Sequence, residues 1–106
     1  MSQSQKEALE VCLFKLTEDT EKQAFMEANG ELDQWLKAQD GFMFRCLSEK
    51  EDGTWIDIIH WASKEAANKA GDGFMETFKD SDFMRAIDPD TVNMNHAQVE
   101  VAYPAG

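Results

Sequence analysis

The sequence predicts an α+β domain whose strands and helices follow the order βαββαβ. Two apolar segments flank an Asp52-Gly53 pair, which favours a tight turn and predicts a central hairpin. A segment with helical apolar periodicity lies on each side of the hairpin, and a strand-like segment lies near each end. Right-handed crossovers then give a four-stranded antiparallel sheet with helices on one face, the ferredoxin-like arrangement.

The first half of the chain contains a strand and a helix. Residues 8–16 are rich in β-type side chains and end at a polar cluster, so they predict the first strand. The cluster at 17–21 offers a hydroxyl N-cap and acidic residues, which suit the positive end of a helix dipole. The helix that follows has one apolar face, formed by Phe25, Ala28, Leu32, Trp35 and Leu36.

The hairpin strands are predicted at residues 42–50 and 55–62. A two-residue turn and a four-residue loop would both place Lys50 opposite Trp55. In either case the pairing of all the other residues in the hairpin follows by counting back along the two strands.

This register predicts which hairpin side chains share a face. It places Arg45 opposite His60, and Phe44 opposite Trp61. One face would carry Met43, Arg45, Leu47, Ile56, Ile58 and His60. The other would carry Phe42, Phe44, Cys46, Trp55, Asp57, Ile59 and Trp61. Both faces are therefore mostly apolar.

The second half of the chain supplies a helix, a helical turn and a last strand. Ser63 is the predicted N-cap of the helix, and Asp80 or Ser81 that of the turn. Residues 95–103 alternate between apolar and polar side chains, which is typical of a strand with one face in water.

This arrangement leaves one apolar face of the sheet uncovered. Two helices can cover only one side of the sheet, so the second side needs another partner. A homodimer that packs sheet against sheet is the simplest solution.

Length and charge narrow the function classes. The chain has 106 residues, 42% of them hydrophobic, which fits a single domain over residues 1–106. The net charge of −11 repels phosphate backbones, so we expect no nucleic-acid partner. The sequence lacks an apolar run of 18 residues and a signal-peptide segment, so we expect no membrane partner and a cytoplasmic location. Cys12 and Cys46 have no metal-type residue at ligand spacing, so no metal site is expected.

The stretch Trp61-Ala62-Ser63-Lys64-Glu65-Ala66 opens a helix directly from the end of a strand. With Ser81-Asp82-Phe83-Met84-Arg85-Ala86, it resembles the antibiotic-biosynthesis-monooxygenase-like families of the dimeric α/β-barrel superfamily. The resemblance covers residues 8–103. It implies a homodimer whose two sheets form a shared barrel, with a pocket between sheet and helices in each subunit.

The superfamily includes cofactor-independent monooxygenases that form quinones, haem-degrading enzymes, and members without an established activity. The positions aligned with the asparagine, tryptophan and histidine of the haem degraders hold Cys12, Phe78 and Asp88 here. A haem iron would lack its histidine ligand, so we expect no haem and no other cofactor. The asparagine–tryptophan–tyrosine set of the quinone-forming enzymes is also missing, since the only tyrosine is Tyr103.

His60 and Arg45 are the predicted catalytic residues, because the register places them together on an apolar face. The guanidinium would favour a neutral imidazole that could act as a base, and Arg45 could hold an anionic or phenolic ligand. The alternative is that both lie in the dimer interface, paired with carboxylates such as Glu100.

Four further residues are predicted to bind a flat aromatic substrate: Trp61, Asp57, Phe44 and Trp35. For the aromatic residues the alternative is ordinary core packing. A buried Asp57 would need a partner, for which Lys50, Ser48 or a backbone amide could serve.

Two functions remain open. The first is a cofactor-independent monooxygenase acting on an aromatic or quinone-like substrate, which predicts an apolar pocket above roughly 300 Å³ with His60 pointing into it. The second is a non-catalytic dimeric barrel that binds a small hydrophobic ligand, or serves in stress or metabolism without chemistry, with His60 and Arg45 in the dimer interface. The sequence leaves the role of His96 open.

Overall fold

A computed structural model describes residues 6–104 of the protein. Its elements follow the predicted order; the predicted helical turn forms a short helix, and a 3-10 turn is added before the last strand. They are β1 (Ala8–Phe14), α1 (Lys22–Lys37), β2 (Phe42–Glu49), β3 (Trp55–Trp61), α2 (Lys64–Phe78), α3 (Asp82–Arg85), the 3-10 turn (Pro89–Thr91) and β4 (Asn93–Gln98). Within this range no helix has the length and apolarity needed to cross a membrane.

The four strands form one antiparallel sheet in the order β2-β3-β1-β4, which is the predicted ferredoxin-like fold. The core lies between this sheet and the helices. Phe25 of α1 is at its centre, stacked on Phe83 and edge-on to Trp55, with ring centroids 5.0 and 4.9 Å away. Such aromatic contacts bury large areas, so they hold α1 and α3 against the sheet.

The helix starts were predicted with mixed success. Ser63 is the N-cap of α2, where its hydroxyl oxygen accepts a hydrogen bond from the Ala66 amide at 3.1 Å. Ser81 caps α3 in the same way. The hydroxyl cap predicted for α1 is wrong, because that helix begins after Glu21 without a side-chain cap. The Thr17 hydroxyl instead donates a hydrogen bond to Asp19 within a turn.

The predicted hairpin register is wrong by one residue. A type I′ turn needs positive φ at both central residues, but in the described chain only glycines have positive φ. Gly53 alone adopts it in this turn, and its amide donates to the Lys50 carbonyl at 3.0 Å. The loop therefore has three residues rather than two or four, and Glu49 pairs with Trp55.

The shifted register redistributes the side chains between the two faces. Arg45 pairs with Ile59, so Arg45 lies on the helix side together with Asp57 and Trp61. The predicted pairs Arg45–His60 and Phe44–Trp61 are both wrong, because Phe44 is opposite His60 on the other face. A one-residue slip has this effect because successive strand residues point to opposite sides.

Strand β4 is shorter than predicted. The strand expected over 95–103 ends at Gln98, which is opposite Ala8, the first residue of β1. One further hydrogen bond joins the Val99 amide to the Glu7 carbonyl at 2.9 Å. Beyond that point the described chain has no neighbouring strand to pair with, and Val101 and Tyr103 are exposed.

Candidate functional site

A cavity of about 270 Å³ lies between the sheet and the three helices. We call it the helix-side pocket. Its mouth is marked by the exposed residues Gly71, Met75, Val92 and Met94, between α2 and the β4 edge of the sheet. The interior is mainly aromatic and aliphatic, formed by Phe14, Leu32, Trp35, Leu36, Ile59, Trp61, Ala70, Phe74, Phe83, Met84 and Ile87. Such walls suit a flat apolar molecule, and the volume is close to the roughly 300 Å³ at which ligand pockets begin.

Glu10 is one of two carboxylates in this lining. It lies on the helix side of β1, and its side chain is 17% exposed. Its Oε1 accepts a hydrogen bond from the indole nitrogen of Trp61 at 3.1 Å and lies 3.7 Å from Nε2 of His96. Burial raises the pKa of Glu10 above its ordinary value, although the Trp61 hydrogen bond and the nearby His96 act in the opposite direction. A carboxyl tuned in this way is suited to exchanging a proton with a ligand.

Asp57 is the second carboxylate, and it is held by a buried network. The guanidinium of Arg45 donates through Nε and Nη2 to the two oxygens of Asp57, at 3.0 and 2.8 Å. It also donates to Asp33 and Asn29 of α1. The Arg45 side chain is 5% exposed, and burial alone would lower its pKa. The hydrogen bonds and charges of Asp57 and Asp33 outweigh burial, so the pKa is raised and the group stays charged.

The Cys12 thiol lines the pocket between the two carboxylates. Burial, followed by the negative charges of Asp57 and Glu10, raises the pKa of Cys12 to about 11. At neutral pH it is therefore a protonated thiol, which is a weak nucleophile. Among residues 6–104 no three histidine, cysteine or acidic side chains are arranged to hold a metal ion.

His60 lies outside the pocket. Its side chain belongs to the sheet face that points away from the helices, where its Nε2 is 2.8 Å from Oε1 of Glu7. The ring nitrogen lacks hydrogen-bond geometry toward that oxygen, so the contact is not a hydrogen bond. The structure therefore separates His60 from Arg45, which lies on the other side of the sheet.

The predicted substrate-binding set divides in the same way. Trp61, Asp57 and Trp35 line the helix-side pocket, and Trp61 is also a core residue that is 1% exposed. Phe44 lies on the opposite face of the sheet and is 52% exposed. The partner of Asp57 is Arg45, and not Lys50, Ser48 or a backbone amide.

Two residues of the site were missed by the sequence analysis. Glu10 stood as a charged residue between Leu9 and Val11 in an apolar strand, which was a usable signal for a buried carboxylate. His96 is half-exposed and contacts Glu10 because β4 pairs with β1 and places the two residues opposite each other. That pairing joins residues far apart in sequence, so no local pattern could have shown it.

The fold is shared with proteins of known structure. SnoaB, a cofactor-independent oxygenase from Streptomyces nogalater, is 18% identical over 93% of this chain and 98% of its own, with a TM-score of 0.73. A dimeric ferredoxin-like protein from an uncultured marine organism is 16% identical over 95% of this chain and 94% of its own, with a TM-score of 0.71. A candidate antibiotic biosynthesis monooxygenase from Nitrosomonas europaea is 14% identical over the full length of both chains, with a TM-score of 0.68.

These likenesses confirm the fold that the sequence resemblance implied. No protein-family model matches the chain, and no curated protein matches it in sequence. At such low identities the shared architecture does not transfer an activity.

Proposed function

We propose that the protein binds a flat, largely apolar small molecule in the helix-side pocket. The observation that carries this proposal is the pocket itself, an aromatic and aliphatic cavity of about 270 Å³ with a partly buried carboxylate, Glu10, in its lining. Trp35, Trp61 and Asp57 would contact the ligand. Few polar groups in an apolar cavity are the usual arrangement for orienting a small molecule.

The reaction that this site supports best is cofactor-independent oxygenation of an aromatic or quinone-like substrate. A base removes a proton from an activated C–H bond, and the carbanion that remains reacts with dioxygen, the oxidant, to form a C–O bond. The resulting peroxide takes up a proton and loses water, which leaves a ketone and accounts for both oxygen atoms. SnoaB, whose fold is similar, is a cofactor-independent oxygenase.

In this proposal Glu10 is the base. His60 and Arg45, to which the sequence analysis assigned the roles of base and anion anchor, do not line the pocket. The raised pKa of Glu10 brings its proton affinity closer to neutral pH, where general bases are most effective. Arg45 would act indirectly, by holding Asp57 in place.

Oxygen uptake tests the catalytic part of the proposal. With anthrone as substrate, the wild type should consume oxygen, and Glu10→Gln should slow the reaction by roughly a hundredfold, the usual contribution of a general base. Glu100→Gln is the matched control, because it removes the same charge from an exposed position outside the pocket. Equal rates for Glu10→Gln and the wild type would remove Glu10 from the mechanism.

The alternative is a barrel that binds its ligand without chemistry. One observation favours it: within the described residues, the pocket lining has no cationic or amide side chain to stabilise an oxyanion. Calorimetric titration with anthrone separates the two functions. Binding without oxygen uptake would support the alternative, and the absence of binding would refute the pocket as a site for such ligands.

We also propose that the protein is a homodimer formed through the sheet face that points away from the helices, which we call the open face. Five of its central residues are aliphatic and only half-buried: Leu9, Val11, Leu13, Ile56 and Ile58. A dimeric ferredoxin-like protein has a similar fold, which supports a dimer but does not bear on the face used. Ile58→Lys would place a charge at the centre of the contact and should give a folded monomer in sedimentation at micromolar concentration. A wild-type protein that sediments as a monomer would refute the dimer.

A further inference from the structure

The polar part of the helix-side pocket is acidic. Within residues 6–104, the side chains that line it include two carboxylates, Glu10 and Asp57, but no lysine, arginine, histidine, asparagine or glutamine. Cys12 adds a thiol between them. The indole N–H of Trp61, a donor in the lining, is already bound to Glu10. The lining therefore offers a ligand hydrogen-bond acceptors and few donors.

The two carboxylates are close to each other on the helix side of the sheet. Glu10 of β1 is two residues from Cys12, which is directly opposite Asp57 of β3. The charge of Glu10 is one of the influences that raise the pKa of Cys12, and so is the charge of Asp57. Because the charges of both carboxylates act on Cys12, they would also act on a ligand group at the same depth in the pocket.

Arg45 does not reverse this charge. Its guanidinium contacts two carboxylates, Asp57 and Asp33, so the three groups together carry one net negative charge when all are ionised. Four of its five N–H donors bond to acceptors within this network, and Arg45 does not line the cavity. A ligand therefore meets the carboxylate of Asp57 and not the cation behind it.

We propose that the ligand of the helix-side pocket is an aromatic molecule that presents a hydrogen-bond donor, above all a protonated amine, to Glu10 and Asp57, and that the pocket binds aromatic carboxylates more weakly. The proposal rests on the proposed function, since it assumes that this pocket binds a small molecule. A protonated amine would make charged hydrogen bonds in a partly buried site, where they are strongest. An aromatic carboxylate would add a third negative charge there, and the described lining has no cationic side chain to compensate it.

Four groups surround the Glu10 carboxyl and set its response to pH. They are His96 from β4, Asp57 from β3, Cys12 from β1, and the indole N–H of Trp61. The residues that α1, α2 and α3 contribute to the pocket carry no titratable group. Lowering the pH through the raised pKa of Glu10 protonates it, so binding of a cation should weaken over that interval. This weakening should be absent in Glu10→Gln.

Three naphthalene derivatives of equal shape test the proposal by isothermal titration calorimetry with the full chain. Naphthylmethylammonium is a cation, naphthalenemethanol is a neutral donor, and naphthoate is an anion. We expect affinities in that order, with the ammonium bound at least about tenfold more tightly than the naphthoate. Glu10→Gln should reduce this ratio several-fold, and Glu100→Gln, which removes an exposed charge, should leave it unchanged.

The outcomes distinguish this inference from the proposed function. If none of the three probes binds, the pocket is not a small-molecule site and both proposals fail. If all three bind with equal affinity, or if naphthoate binds most tightly, the pocket binds ligands but the charge selectivity is refuted. A cation preference that Glu10→Gln and Glu100→Gln reduce equally would refute the role of Glu10, because it would reflect only the net charge of −11.

Discussion

The two faces of the sheet have similar apolar content but differ in the partners that their polar residues find. On the helix side, Arg45 and Asp57 form a buried pair that is completed by α1, and Glu10 is held by Trp61. On the open face, Nε2 of His60 lies 2.8 Å from Oε1 of Glu7, just before β1, without a hydrogen bond, and Phe44 is half-exposed.

This difference shows where a polar site can be built in the chain. On the helix side, a second layer of side chains supplies partners for buried charges and leaves a cavity between the layers. Residues 6–104 form no such layer over the open face, so its aliphatic surface is suited to a second copy and not to a pocket. The candidate ligand site and the candidate dimer contact are therefore on opposite sides of one sheet.

The largest effect on stability is expected from removing the charge of Arg45, at the centre of its network with Asp57, Asp33 and Asn29. Arg45→Met leaves Asp57 buried without its partner and should lower the free energy of unfolding by about 3 kcal/mol. Urea denaturation measures this change. Arg85→Met is the matched control, because Arg85 is 70% exposed and its loss should cost less than about 0.5 kcal/mol. If the two variants were equally stable, the network would not contribute to stability as described.

The reactivities of the two cysteines allow a direct comparison of the two faces of the sheet. Cys12 is in the helix-side pocket with a pKa of about 11, whereas Cys46 is exposed on the open face. In the Ile58→Lys subunit, where the open face is uncovered, a disulfide reagent at pH 8 should modify Cys46 roughly a hundredfold faster than Cys12. The single variants Cys12→Ser and Cys46→Ser assign the two rates. Similar rates would contradict the buried, acidic environment of Cys12.

Filling the pocket should affect binding without harming the fold. A Cβ at Gly71, which lies at the mouth of the pocket on α2, would meet no atom within 4 Å. Gly71→Leu should therefore raise the free energy of unfolding by about 1 kcal/mol through helix propensity. It should also weaken binding of naphthalenemethanol by about tenfold through loss of space.

Gly30→Leu is the control for this variant. Gly30 is also exposed within a helix and also has free space around it, but it does not line the pocket. It should show the same gain in stability and no change in binding. Equal loss of affinity in both variants would show that the ligand does not enter the cavity.

The smallest effect is the pH dependence of stability that Glu10 contributes. Because its pKa is raised in the folded protein, the folded state binds more protons than the unfolded state between the ordinary value of 4.5 and the raised value. Stability should therefore fall as the pH rises through that interval. In Glu10→Gln this fall should be absent, so the variant should gain stability over the wild type above the interval and not below it. Parallel pH profiles in urea would contradict the raised pKa.

Much of the architecture followed from local patterns. The strand and helix order, the Ser63 cap and the surplus apolar face were all visible in the sequence, because periodicity and capping depend on residues close together in the chain. The candidate site was harder to predict from the sequence. The wrong hairpin register placed Arg45 beside His60, and the error came from one turn in which Gly53 alone adopts positive φ.

The sequence by itself determined the fold class. It also singled out Trp61, Asp57 and Trp35, which line the helix-side pocket. Tertiary structure alone decided that Arg45 pairs with Asp57, that His60 lies on the open face, and that Glu10 contacts Trp61 and His96. The physical reason is the two-residue period of a strand. A shift of one residue leaves the order of elements unchanged, but it moves the side chains of β2 from Phe44 onward to the other side of the sheet.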